Sequence, residues 1–83
     1  MRFINVGYNN MVSADKVVAL VSFESAPSKR LVQDSKDSGR AVDCTGGKKT
    51  RSVVIMNSGH VILSSLETEK LAGRINSEED GEE

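Results

Sequence analysis

The residues with the clearest capacity for chemistry are Gly46-Gly47-Lys48-Lys49-Thr50-Arg51. Glycine followed by lysine and threonine invites comparison with a phosphate-binding loop. That loop needs Gly-x-x-x-x-Gly-Lys-Ser/Thr: its glycines bring backbone N–H groups around the phosphates, its lysine reaches the outer phosphates, and its hydroxyl binds magnesium. With Gly47-Lys48 in register, Val42 stands at the first glycine and Lys49 at the hydroxyl position. The pattern fails, and nucleotide hydrolysis is not supported. What remains is three cations beside two glycines. Glycines let backbone N–H groups approach an anion closely. Lys48 and Lys49 act as point charges, while Arg51 offers a fork that grips a phosphate or a guanine edge. The set suits a phosphate backbone. The plain alternative is a solvated basic turn, which is what an isolated Lys-Lys-x-Arg usually is.

A second set would be nucleophilic. Cys44 with His60 as base and Asp43 as orienter can be written down. A lone cysteine more often behaves as a small core residue, and His60 falls at a turn or strand edge, so an enzyme is not expected. One cysteine and one histidine cannot supply the four ligands of a structural zinc site. Neither a metal, a cofactor nor a small-molecule substrate is predicted.

These residues must be positioned by short elements. Phe3 to Val6 reads as a strand, with turn residues at Gly7 and Asn9-Asn10. Met11 to Ala14 is a second extended piece or part of the loop. Val17 to Val21 is a continuous, mostly β-branched run that suits a strand buried on both faces. Ser25 can cap a helix whose first turn holds Pro27, running from Ala26 to about Ser38, with Gly39 as its left-handed stop. Its apolar face is expected to hold Pro27, Leu31, Val32 and Ser35. Ala41–Cys44, Ser52–Met56 and His60–Ser64 read as strands, the last two joined by a tight Asn57-Ser58-Gly59 turn. Ser64 and Glu67 match a capping box, predicting a helix from Leu66 or Glu67 to Ile75 with Leu71, Ala72 and Ile75 facing inward.

The chain is 83 residues long, which allows one domain, and its 37% hydrophobic content is too high for a disordered chain. The expected organisation is a single domain over 1–76 and an acidic, disordered tail over 77–83. The net charge of −1 hides an asymmetry. The tail holds five of the twelve acidic residues, which leaves 11 basic against 7 acidic groups before it, a net +4. A mildly basic body can meet a polyanion. The aromatics are only Phe3, Tyr8 and Phe23, too few for a platform that stacks single-stranded bases, so duplex DNA is the better polyanion. The start of the chain turns polar before a signal peptide could form, and the longest apolar run is far short of a membrane span. A cytoplasmic protein with no membrane partner is expected.

The fold class predicted is α+β: a small antiparallel or mixed sheet with two helices. Val17–Val21 and Val53–Met56 are apolar on both faces, and two short helices hardly cover both sides of such a sheet. A second copy of the chain is the simplest cover, so a homo-oligomer is predicted; the alternative is a monomer with a curled sheet.

Several segments together resemble the RemA family of bacterial regulators, the extracellular matrix regulatory proteins. They are Phe3-Ile4-Asn5-Val6-Gly7-Tyr8, Met11-Val12-Ser13-Ala14, Glu24-Ser25-Ala26-Pro27 with Lys29-Arg30, and the stretch from Gly46-Gly47-Lys48-Lys49-Thr50-Arg51 through Ile62-Leu63-Ser64. The resemblance runs in order over roughly residues 2–75. It implies a DNA-binding transcriptional regulator of biofilm-matrix genes that forms ring-shaped homo-oligomers with a basic outer surface. It also implies that Lys16, Lys48 and Lys49 contact DNA, and that Arg51 serves either DNA or a subunit interface. Three departures stand out. Lysine replaces the family's usual arginine at the contacts, which keeps charge and loses the bidentate fork. Phe23 stands where the family usually has proline, and Cys44 where alanine is common. A second reading is a structural or interaction module whose basic loop meets an acidic protein.

Overall fold

The computed structural model describes residues 2–77. Of the tail expected to be disordered, 77–83, residues 78–83 lie outside the described residues. Strands β1 (Phe3–Gly7) and β2 (Asn10–Ser13) form an antiparallel hairpin that is a sheet of its own. One 3-10 turn, Ala14–Lys16, leads into β3 (Val17–Ser22). Helix α1 (Ala26–Asp37) follows, then β4 (Ala41–Asp43), β5 (Ser52–Met56), β6 (Val61–Ser64) and helix α2 (Thr68–Asn76). The four later strands make a mixed sheet in the order β3-β5-β6-β4, with β4 parallel to β6 and the other pairs antiparallel. The predicted α+β class and two helices are therefore present.

Alternation along β5 splits the core in two. Val54 points to one side, into a cluster with Ile4 and Val6 of β1, Ile62 of β6, Cys44 and Leu71 of α2. Val53 points to the other side, against Val61, Leu63 and Val32 of α1. Both valines are fully buried within one chain. The expectation that the helices leave one face bare is therefore corrected. The β1–β2 hairpin, which the sequence pattern did not mark as a separate layer, joins α2 on one face while α1 covers the other. Strand β5 is thus covered on both faces within one chain, whereas β3, expected to be buried on both faces, leaves Val18 66% exposed at the sheet edge.

The α1 boundaries follow from local chemistry. The Ser25 hydroxyl accepts from the Ser28 N–H at 3.3 Å, proline sits in the first turn, and Gly39 takes a φ of +77° just past the end. Its buried face is Ser28, Val32 and Ser35, not the expected face through Pro27 and Leu31. Small serines fit there because their hydroxyls are satisfied locally: Ser35 donates to the Val32 carbonyl, and Ser28 pairs with Ser25. The capping box at Ser64 does not form. Ser64 is an inward residue of β6 whose hydroxyl donates to the Val6 carbonyl at 2.7 Å, and Glu67 takes the N-cap position without a side-chain bond. Leu71 is the buried anchor of α2, with Ile75 packed beside it.

Candidate nucleic-acid interface

The sheet has two ends, and its turns sort the candidate residues between them. At one end β4 runs out into the loop 44–51, which returns into β5. Asp43 builds the entry to this loop: its Oδ1 accepts from the Thr45 N–H at 2.9 Å and from the Thr45 hydroxyl at 2.6 Å. These bonds, the side-chain one first and the backbone one second, hold the Asp43 carboxyl below the usual carboxylate range; burial opposes them slightly and Lys36 adds a little in their favour. Thr45 then closes the turn. Its carbonyl accepts from the Lys48 N–H at 3.1 Å, and its hydroxyl oxygen accepts from the Gly47 N–H at 3.3 Å. Gly46 and Gly47 are the central residues, at φ +64° and +85°, a left-handed pair that glycine adopts without strain. The exit is tied by the Arg51 N–H to the Ser64 carbonyl at 2.8 Å.

This wiring corrects one expectation. The N–H groups of Thr45, Gly47, Lys48 and Arg51 all have partners inside the chain, so Gly47 does not offer its backbone N–H to an anion as expected. What it offers is side-chain charge. Lys48, Lys49 and Arg51 are exposed, and no hydrogen bond or ion pair among the described residues engages their side chains.

The structure brings some of the expected cations together and separates others. The Phe23 N–H donates to the Arg51 carbonyl at 3.1 Å, which sets the start of α1, with exposed Lys29 and Arg30, at the end of the sheet that carries the loop. Lys16 lies at the opposite end. Its carbonyl accepts from the Asn57 N–H, six residues beyond Arg51 along β5. At about 3.3 Å per strand residue the two sites are roughly 20 Å apart. Lys16 instead borders an open, mainly apolar groove of about 460 Å³ with Val12, Val42, Met56, Ile62 and His60.

The nucleophilic set is dispersed. The Cys44 N–H donates to the Leu63 carbonyl, and His60 lies three residues before Leu63, roughly 10 Å away along the strand. Cys44 is buried; that burial first, and the Asp43 charge second, raise its thiol above the ordinary range. The His60 Nδ1 is taken up by the Ser58 hydroxyl at 2.7 Å, and the Asp43 carboxylate by Thr45. Among the described residues no group of three or more acidic, histidine or cysteine side chains could hold a metal ion, and no helix is long and apolar enough to cross a membrane.

One neighbour of the loop was not anticipated. The Tyr8 ring, in the β1–β2 turn, lies directly on Gly46. The sequence signals a turn there through Gly7 and the asparagines, but nothing in it places that turn against a loop 38 residues away.

The sequence matches known proteins over nearly the whole chain. A family model described as RemA-like, extracellular matrix regulatory protein A-like, matches residues 3–75. The chain is 52% identical over 80 residues to a protein of Geobacillus kaustophilus, covering 96% of this chain and 92% of the relative. It is 51% identical over the same shares to one from a Geobacillus species, strain WCH70, and 50% to one from Bacillus cytotoxicus. All three carry the name "Putative regulatory protein". A match of this extent places the chain in the RemA-like family, the extracellular matrix regulatory protein A-like proteins.

Proposed function

We propose that this protein is a DNA-binding transcriptional regulator of biofilm-matrix genes, acting in the cytoplasm as a ring-shaped homo-oligomer. It contacts duplex DNA through phosphates, with little reading of bases. The observation that carries this is the pinned turn that presents Lys48 and Lys49, with Arg51 behind them, as cations with no partner of their own. Lysines neutralise phosphates well and read base edges poorly, which suits recognition by backbone contact and DNA shape. The regulatory names of the relatives favour the same reading over catalysis.

Self-association has its own support. Phe3 and Met11 lie on the outer face of the β1–β2 hairpin and are more than half exposed, as is Val18 on edge strand β3. Val42 on the other edge strand opens onto the apolar groove. Apolar side chains exposed side by side, as Phe3 and Met11 are on one hairpin face, mark contact sites in a way that single ones do not. A ring repeats the loop around its rim, and linked weak sites gain avidity. Lys16 serves this assembly as a DNA contact, and Arg51 as a DNA contact or as a residue of the subunit interface.

The test is a titration of promoter-length duplex at several salt concentrations, with light scattering on the same samples. Steeply salt-dependent binding by an oligomer is expected, since log affinity falls by about 0.9 per phosphate neutralised for each log unit of salt. No binding at low salt would sink the DNA reading. A monomer at working concentration would sink the ring.

A further inference from the structure

The turn between β1 and β2 is built at a cost. Its two central residues, Tyr8 and Asn9, both take positive φ, +53° and +64°. Turns of this hand normally carry Asn-Gly, Asp-Gly or Gly-Gly. Asparagine tolerates the left-handed region, but a tyrosine there is strained and gains nothing locally in return. The hairpin itself does not need the ring. It is held by the Gly7 N–H donating to Asn5 Oδ1 at 2.7 Å and by Asn10 Nδ2 donating to the Gly7 carbonyl at 2.9 Å. The core does not need it either: Tyr8 is 54% exposed and belongs to neither cluster.

What the ring does touch is the basic loop. A Cβ placed on Gly46 would lie 2.5, 2.6 and 2.8 Å from Cε2, Cζ and Cδ2 of Tyr8. The ring edge therefore rests on the Gly46 backbone, at a distance that only glycine permits. Nothing lies within 4 Å of where a Cβ on Gly47 would sit, so beyond the bonds of Gly47 and Lys48 to Thr45 it is the Tyr8 ring that meets the glycine pair, at Gly46. Two consecutive glycines have the most conformational freedom to lose, and a turn made of them stays ordered only if something outside it takes up that freedom.

We propose that Tyr8 is a positioning residue for the basic loop. Its ring, held out by the left-handed backbone at Tyr8-Asn9, clamps the Gly46-Gly47 turn and fixes where Lys48 and Lys49 project. The role rests on the DNA-binding reading above. It acts by pre-organisation: a loop already ordered loses less freedom when DNA binds, so affinity rises with no added phosphate contact.

Three proteins separate this from a merely structural role: the wild type, Tyr8→Phe and Tyr8→Gly. Glycine removes the ring and the backbone strain together, so stability and positioning move in opposite directions. For Tyr8→Gly, the urea midpoint is expected to be no lower than wild type. Backbone order parameters at Gly46, Gly47 and Lys48 are expected to fall. Duplex affinity should drop about fivefold with an unchanged salt slope, because the same phosphates are still met. Tyr8→Phe keeps the ring and should match wild type in all three readouts. Unchanged order parameters in Tyr8→Gly would overturn the clamp, and so would lower order without any loss of affinity. If the wild type binds no duplex at any salt, the DNA reading falls, and the order parameters alone then keep or remove the clamp.

Discussion

The two ends of the four-stranded sheet carry similar tight turns and use positive charge in opposite ways. At the loop end, the side chains of Lys48, Lys49 and Arg51 donate to nothing among the described residues. At the end where the β5–β6 hairpin turns, Arg40 is committed: its Nε donates to the Ser38 hydroxyl at 2.8 Å and its Nη1 to the Gly59 carbonyl at 3.0 Å. Along the first strand the pattern repeats. Arg2 donates to the carbonyls of Arg74, Ile75 and Ser77 at the end of α2, satisfying groups a helix terminus leaves open, and Arg74 donates to the Asn5 carbonyl. Several planar donors on one head suit this bridging, and a lysine could not replace them. A net charge of +4 therefore overstates the binding face. Three arginines hold the fold together, and Lys48, Lys49 and Arg51 at the loop end are among the cations that do not.

The comparison predicts two kinds of loss that do not mix. Lys48→Ala/Lys49→Ala should cost the most. Each charge-assisted contact is worth about 1.5 kcal/mol, close to tenfold, so the pair should lower duplex affinity roughly a hundredfold and flatten the salt slope by about 1.8 per copy of the loop engaged. Its urea midpoint should stay at the wild-type value, since exposed, unpartnered side chains contribute little to folding. Binding that persists undiminished would move the interface elsewhere. Arg74→Ala should do the reverse. It strips the Asn5 carbonyl of its donor and should lower stability by about 1.5–2 kcal/mol in urea unfolding, with the folded fraction binding DNA as before.

Much of this frame was legible in the sequence wherever local chemistry decides. Ser25, Pro27 and Gly39 fixed α1 to within a residue or so, and the valine-rich runs marked β3 and β5. The reading failed where a distant partner decides. Ser64 followed by Glu67 fits a cap, yet the Val6 carbonyl, 58 residues away, makes Ser64 an inward strand residue. On α1 the inward face includes Val32 and Ser35 as expected but turns toward Ser28 instead of Pro27, because Ser28 pairs with the Ser25 hydroxyl. The basic loop is found by composition; the Tyr8 ring on it depends on how the β1–β2 hairpin lies over the sheet, and the distance to Lys16 on the pairing of β3 with β5.

Lys16 sharpens the contrast between the ends. It is exposed and carries no side-chain partner, as the loop lysines do, but it sits roughly 20 Å from them, across the length of β5. One duplex lying along the sheet could meet both sites. Lys16→Ala should then lower affinity by at most about tenfold and reduce the salt slope by about 0.9 per copy engaged. A loss larger than that of the loop pair, in the same titration, would make the hairpin end the main interface and reverse the assignment.

The smallest effect expected concerns Asp43, the one acidic group that shapes the loop. Its carboxyl is held below the ordinary range by Thr45, so it binds fewer protons folded than unfolded. Its stabilising contribution is present above the unfolded carboxylate pKa of about 3.9 and is lost as pH falls through the lower folded value. Asp43→Asn keeps an oxygen that can accept from Thr45 but removes the charge. At neutral pH the variant should be less stable than wild type, by about 0.5 kcal/mol or less because the group is exposed and screened by solvent. As pH drops below about 4 the wild-type carboxyl takes up its proton, and the two urea midpoints should converge. A gap that stays constant down to the acid limit would mean that Thr45 is held by shape alone, and that the loop owes nothing to the charge beneath it.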